Sequence, residues 1–222
     1  MNKRNYQREL EAIIGDPASK GKTVFLHSCC APCSSYCMEY LCRVFRLTVF
    51  YYNPNIFPEE EYRLRAAEEK RLIEAYNAEI REGKREGFPI QIVEGEYQPA
   101  RFLAIAKGYE TLPEGGERCF RCFELRLSET AKAAKDAGMD YFTTTLTISP
   151  LKNAEKLNEI GEELGKEYGV PWLPCDFKKK NGYKRSIELS AQYGLYRQNF
   201  CGCVFSKNQR EADSLQAAGK EI

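Results

Sequence analysis

No stretch of this 222-residue chain approaches the roughly 18 consecutive apolar residues that a membrane-crossing helix requires, so no membrane span is expected. The opening residues, Met1-Asn2-Lys3-Arg4-Asn5-Tyr6, lead into charged positions rather than the apolar stretch of a secretory leader, which points to a cytoplasmic protein. Charge of one sign is lacking as well. Lys and Arg number 33 against 32 Asp and Glu, a net charge of +1, so a polyanionic partner would be held by a local basic patch rather than by the field of the whole molecule. Repeats, low-complexity tracts and Pro/Gly/Ser-rich linkers are absent, and residues 1–222 read as one domain. Histidine occurs once, at His27. Cysteine, by contrast, occurs ten times. A chain of this length buries about 70% of its unfolded surface without cross-links. Thiols of a cytoplasmic protein stay reduced, and clustered ones are more often metal ligands or redox groups than disulfides.

Short apolar runs alternate with helical patterns along the chain. Tyr6, Leu10, Ile13 and Ile14 share one face of a leading helix within residues 1–18. Val24 to His27 reads as a first strand, and Cys37, Leu41, Val44 and Phe45 mark the helix after it. Leu47 to Tyr52 is a second strand, stopped by Asn53-Pro54-Asn55. A long helix follows from Glu59 to about Glu82, then a strand at Ile90 to Val93, and helices over Pro99 to Lys107 and Cys119 to Ala137. Tyr141 to Leu146 is a fourth strand, Lys152 to Tyr168 a helix, and Val170 to Leu173 a fifth strand. The expected fold is therefore α/β: three layers around a mostly parallel five-stranded sheet, Rossmann-like or HUP-like, in a single domain. Residues 178–222 form a C-terminal loop and helices that pack back on the functional edge. In such sheets ligands sit beyond the carboxyl ends of the strands. Ser28-Cys29-Cys30-Ala31-Pro32-Cys33, the Thr143 to Pro150 segment and Cys175-Asp176 all fall on that edge.

Seven thiols lie in three groups: Cys29, Cys30 and Cys33; Cys119 and Cys122; Cys201 and Cys203. A vicinal pair and a Cys-x-x-Cys pair supply four thiolates from different directions, as a [4Fe–4S] cluster asks. Zinc is the rival, although its sites more often use two Cys-x-x-Cys hooks. Cys33, Cys201 and Cys203 exceed what one cluster needs. They could bind a second metal, form a reversible disulfide that carries two electrons, or pack as small apolar residues. Cys37 and Cys42 fit core packing, and Cys175 is left without a role.

Other residues carry paired readings. His27 could donate a proton beside the cysteines or sit satisfied in the core. Asp176 could ligate iron, act as a general acid, or be an ordinary carboxylate. Lys178, Lys179, Lys180, Tyr183, Lys184 and Arg185 could hold phosphates and stack a base, with Arg118 and Arg121 as helpers, or decorate a solvated loop. Ser149 and Lys152, with Asn153, could cradle a phosphate or cap the following helix.

Four motifs taken together resemble one family. They are Leu26-His27-Ser28-Cys29-Cys30-Ala31-Pro32-Cys33, Arg118-Cys119-Phe120-Arg121-Cys122, Thr144-Thr145-Leu146-Thr147-Ile148-Ser149-Pro150 with Lys152-Asn153, and Tyr196-Arg197-Gln198-Asn199-Phe200-Cys201-Gly202-Cys203. In this order, over residues 20–206, they are similar to the QueH family of epoxyqueuosine reductases. The resemblance implies an oxidoreductase that removes the epoxide oxygen of epoxyqueuosine at the tRNA wobble position. It also implies a [4Fe–4S] cluster on Cys29, Cys30, Cys119 and Cys122 and a redox-active Cys201/Cys203 pair. An additional iron ion at a Cys/Asp site accords with it. Protons are expected from Cys33, Asp176 or a tyrosine, and electrons from an external donor. The resemblance implies the anticodon region of tRNA as partner, and Ser149, Lys152, Lys178, Lys179, Lys180, Tyr183, Lys184 and Arg185 are its expected contacts. No cobalamin signature, the mark of an unrelated family with the same reaction, is present. Two rivals stand beside this reading: a thiol-dependent sulfonucleotide reductase, which would carry a Ser-Gly-Gly-type loop where Ser28-Cys29-Cys30-Ala31 stands, and a zinc-stabilised RNA-binding module without chemistry.

Overall fold

The computed structural model describes residues 4–218. Its centre is a sheet of four parallel strands, β1 (Thr23–Ser28), β2 (Arg46–Tyr51), β3 (Gln91–Glu94) and β4 (Tyr141–Thr144), in the order β3-β2-β1-β4. β1 and β2 are almost wholly buried, as strands covered on both faces must be, whereas β3 is the half-exposed edge. Among the described residues, the helices are α1 (Tyr6–Gly15), α2 (Ala31–Leu41), α3 (Glu59–Arg81), α4 (Pro99–Ala106), α5 (Glu117–Asp136), α6 (Ala154–Tyr168), α7 (Gly182–Gln192) and α8 (Val204–Ala218). The chain steps outward from β1 through β2 to β3, then returns to lay β4 against the other side of β1. Right-handed crossovers put α2 and α3, which pack together, on one face, and the reversal puts α5 and its neighbour α6 on the other. The crevice of such a reversal opens beyond the carboxyl ends of β1 and β4. That is where Cys29 and Thr145 stand.

Two strand expectations are corrected. Val170 to Leu173 is not a fifth strand: it makes one isolated parallel bridge, Phe142 with Trp172. Phe142 N donates to Pro171 O and Leu173 N to Phe142 O, but Pro171 and Pro174 have no N–H with which to extend a ladder. Beyond them the Asn158 side chain captures both Cys175 N and Cys175 O, at 3.0 and 2.8 Å. The sheet is thus four-stranded and wholly parallel. β4 also ends at Thr144 rather than Leu146, because the Thr144 hydroxyl accepts from Leu146 N and turns the chain into a 3-10 helix over Thr145–Ile148. Val44 and Phe45 lie past the end of α2, though Phe45 is still fully buried.

The core is one continuous body of side chains from both layers, with Leu26, Val49, Leu127, Phe142 and Leu157 at its middle. Burying each such side chain stabilises the fold by about 1.5–3 kcal/mol. Trp172 packs so closely on α6 that a Cβ at Gly161 would overlap its ring. The long α3 presents Tyr62, Ala66, Ile73 and Tyr76 inward at helical spacing, and the same stripe carries Arg65 and Glu69, both inaccessible to solvent. Those two polar residues face the cysteine edge. Among the described residues, no helix is long and apolar enough to cross a membrane.

Candidate metal centre and substrate cavity

All ten cysteines are free thiols. Cys29 and Cys30 leave β1 just before α2, with Cys30 in extended backbone as the N-cap and Pro32 in the first turn, where its missing N–H costs nothing. Cys33 follows on that first turn, its N–H bonded to Cys30 O. The three sulfurs lie within 4.8 Å of one another, Cys29 and Cys30 at 3.8 Å. Among the described residues this is the one group of three or more Cys, His, Asp or Glu side chains close enough to share a metal ion. Cys119 and Cys122 occupy the first turns of α5, and Cys203 precedes α8, where its Sγ accepts from Ser206 N. Three helix starts therefore carry the thiols, each presenting unpaired N–H groups that favour negative charge.

The groups meet through Cys201. It lines a cavity of about 300 Å³ together with Cys29, Cys30 and Cys33. It also lines a small adjoining void with Cys119, Cys122 and Cys203. The Cys201-Gly202-Cys203 turn is held against α3: Arg65 donates to Cys201 O at 3.2 Å, its guanidinium lies 5.2 Å from the Phe200 ring, and Phe57 N donates to Gly202 O. Gly202 has φ +115, and a Cβ there would meet Ile56 Cγ1 at 2.8 Å and Arg65 Nη1 at 3.1 Å. Only glycine fits.

Electrostatics fixes which thiol ionises. Hydrogen bonds from Cys30 and Cys33 hold Cys29 well below the usual thiol range, helped by Lys152 and Arg126. The same bonds push Cys30 up to about 12 and Cys33 well above its ordinary value, so one thiolate is shared by two thiols. Burial raises Cys119, takes Cys122 to about 11 and Cys203 to about 12. Against these stand buried cations. Arg126 is inaccessible and has no carboxylate partner among the described residues: it donates to Asn53 Oδ1 at 2.7 Å, to His27 Nε2 at 3.3 Å and towards Cys122 Sγ at 3.9 Å. Burial and the neighbouring Arg126 charge lower His27 to about 3, so the imidazole is neutral, bonded to Thr144 Oγ1 at 2.8 Å. That is the satisfied-core reading of His27. Burial would lower Lys152, but the sulfurs of Cys201, Cys29 and Cys33 beside it outweigh that and raise it. A guanidinium kept dry without a carboxylate is costly unless an anion sits nearby. The residues present therefore fit an anionic, thiolate-bound metal group.

Several other sequence expectations separate here. Ser149, Lys152 and Tyr183 line the cavity. Asn153 is the N-cap of α6, accepting from Lys156 N at 3.1 Å, which is the capping alternative. Lys178, Lys179 and Lys180 lie elsewhere: Lys178 and Lys179 pair with Asp176 at 2.9 and 3.9 Å, and Lys180 with Glu11 at 2.7 Å. Asp176 is buried beside Lys178 and belongs neither to the close sulfur group nor to the cavity lining. Arg185 turns to Glu39 at 2.9 Å, and Lys184 is exposed. Arg118 is buried and donates to the carbonyls of Tyr109, Glu110 and Leu112, while Arg121 stacks on Tyr109. Both shape the loop before α5. Cys37, Cys42 and Cys175 are inaccessible, and the Cys175 Sγ lies 3.3 Å from the hydroxyls of Thr143 and Thr147. The sequence reading missed Arg65, Asn53, Arg126 and Glu114. Arg126 alone left a usable signal, one helical turn beyond Cys122.

Residues 24–209 match a family model described as epoxyqueuosine reductase QueH. The epoxyqueuosine reductase QueH of Streptococcus pyogenes serotype M1 is 40% identical over 216 residues, covering 96% of this chain and 82% of that protein. That of Staphylococcus epidermidis is 41% identical over 218 residues, 96% of this chain and 89% of its own length. The Thermotoga maritima protein of the same name is 33% identical over 201 residues, covering 89% and 97%. The match spans every thiol from Cys29 to Cys203, and on this evidence the chain belongs to the epoxyqueuosine reductase QueH family.

Proposed function

We infer that this chain is an oxidoreductase that converts epoxyqueuosine to queuosine in tRNA, the activity its family is named for. The observation that supports this chemistry best is the cavity itself: thiols from separate helix starts form its floor, and Lys152, Arg197, Tyr183 and Phe200 are among its walls. Opening an epoxide to an alkene takes two electrons and two protons and releases one water. When bound, a [4Fe–4S] cluster supplies electrons one at a time. Cys29, Cys30, Cys119 and Cys122 are the residues that would hold it, and Arg126 would balance its charge. The close Cys29, Cys30 and Cys33 sulfurs favour the cysteine side of any additional iron; Asp176, drawn to Lys178, has no such support.

Cys201 and Cys203 match the stoichiometry of the reaction. Closing that dithiol to a disulfide releases two electrons and two protons, and an external reductant reopens it. Among the proton sources expected from the sequence, Cys33, when it holds no iron, is better placed than Asp176, because it stands on the cavity wall. Phosphates of the anticodon arm fall to Lys152, Arg197, Ser149 and the exposed Lys184, and Tyr183 offers a ring for a base. Lys178, Lys179, Lys180 and Arg185 contribute only more distant charge. A cytoplasmic location suits both free thiols and a tRNA substrate.

The test is conversion of epoxyqueuosine-bearing tRNA by the anaerobically purified chain with a chemical reductant, read by nucleoside mass spectrometry. Queuosine should accumulate, and a Cys201→Ala/Cys203→Ala variant should bind the same tRNA without turnover. Unchanged epoxyqueuosine with wild-type protein of full iron content contradicts the activity.

A further inference from the structure

The cavity is lined by thiols and basic side chains, with one carboxylate among them. Arg65, Lys152, Arg197 and Arg210 line it, and Glu114 is the single carboxylate among its described lining residues. Glu114 also borders the adjoining void, beside Cys119, Cys122, Cys201 and Cys203, so it stands where the two spaces meet. Its position is fixed rather than accidental. Ser206 Oγ donates to Glu114 Oε2 at 3.0 Å and accepts from Cys201 N at 3.2 Å, while Ser206 N donates to Cys203 Sγ. One serine thus ties the carboxylate to the cysteine turn. The other oxygen, Oε1, has no hydrogen bond or ion pair with another described residue and is left to the cavity. Arg65 pairs with Glu61 at 2.7 Å rather than with Glu114.

A pocket built for an all-anionic ligand gains nothing from this carboxylate, which would repel it. The substrate of the proposed reaction is not all-anionic. Epoxyqueuosine joins its deazaguanine to the epoxide-bearing ring through a secondary amine, which is cationic at neutral pH. A carboxylate beside the Cys201 wall offers such an ammonium a partner that none of the basic lining residues can supply. Resting on the function proposed above, we propose that Glu114 is the specificity residue of this site: its free Oε1 accepts a charge-assisted hydrogen bond from the secondary ammonium of epoxyqueuosine. The ammonium is attached to the ring that carries the epoxide, so this contact sets that ring against the cysteine wall next to Cys201. The cations are left for the phosphates. Unmodified wobble guanine has no ammonium and gains nothing from Glu114.

The test compares two tRNAs of one sequence, bearing epoxyqueuosine or guanine at the wobble position, with wild type and Glu114→Gln. The amide keeps the size of the side chain and can still accept from Ser206. Wild type should bind the epoxyqueuosine tRNA more tightly than the guanine tRNA. Glu114→Gln should erase that preference, weakening the modified tRNA about 10-fold or more while leaving the guanine tRNA within 2-fold. KM should rise in parallel, with kcat at saturation held within a few-fold. An unchanged preference overturns the proposal. So does equal weakening of both tRNAs, which marks a structural role, or a collapse of kcat at unchanged affinity, which marks a proton donor. Affinity is read separately from turnover: a wild type that prefers the modified tRNA but fails to convert it counts against the reductase activity and not against Glu114.

Discussion

Arg126 shows how a buried side chain acquires a task from its surroundings. Asn53 holds one end of the guanidinium, and Asn53 is in turn fixed by donating to Ser28 O at 2.8 Å, so the charge is aimed at Cys122 with no carboxylate among the described residues to quench it. Removing it should favour the less negative, oxidised state of a thiolate-bound cluster. Arg126→Gln is expected to lower the midpoint potential by about 60 mV or more, a tenfold change for one electron. It should also quicken iron loss to a chelator. Arg126→Lys should recover part of both, and a potential unchanged in Arg126→Gln would remove the residue from this role. Glu69 is the opposite case, a carboxyl buried with both oxygens lacking a hydrogen-bond partner. Ser34, one of the two hydroxyls near it, donates to Ala31 O instead. Burial raises it from 4.5 to about 7. The folded state then holds a proton that the unfolded chain has already lost between pH 4.5 and 7, so stability falls as pH rises through that window. The full effect is roughly 3 kcal/mol. Glu69→Gln should flatten the dependence, as read by denaturant melts at pH 5 and 8. A wild type whose stability rises over that range contradicts the reading. Neither residue was read as functional in the sequence, because a charge on an amphipathic helix is ordinarily read as its solvated face, although Arg126 lies one turn beyond Cys122.

The elements were far more legible than these residues, and the failures have local causes. α3 and α5 announced themselves by apolar spacing, and their observed ends fall within a residue or two of the pattern. β1 and β2 were clear because buried parallel strands are runs of β-branched and aromatic residues. The Val170–Leu173 run carries the same composition, but the prolines within and after it withhold the N–H groups of a ladder, and the Asn158 side chain takes over the backbone at Cys175. Periodicity cannot report that competition. The cysteine turn was legible only as a pattern of residues; its seat on α3 depends on Arg65 and Ile56, distant in sequence. Gly202 is the point where that seat can be tested. Gly202→Ala forces a side chain onto Ile56 in a backbone region that disfavours L residues. It should lower stability by about 1–3 kcal/mol in a denaturant melt and depress conversion of epoxyqueuosine tRNA more than tRNA affinity. An unchanged melt and rate would mean that the turn tolerates displacement.

At the scale of the whole molecule, a reversal of strand order between β1 and β4 opens a crevice, and the starts of α2, α5 and α8 bring their cysteines to it. A near-neutral chain concentrates buried positive charge there, beside the thiols that would hold the proposed metal group. The direct test is elemental and sulfide analysis of the chain purified without oxygen. The account predicts brown protein with about four iron and four inorganic sulfide per chain, and no more than trace zinc. Colourless protein with one zinc and no sulfide would contradict it.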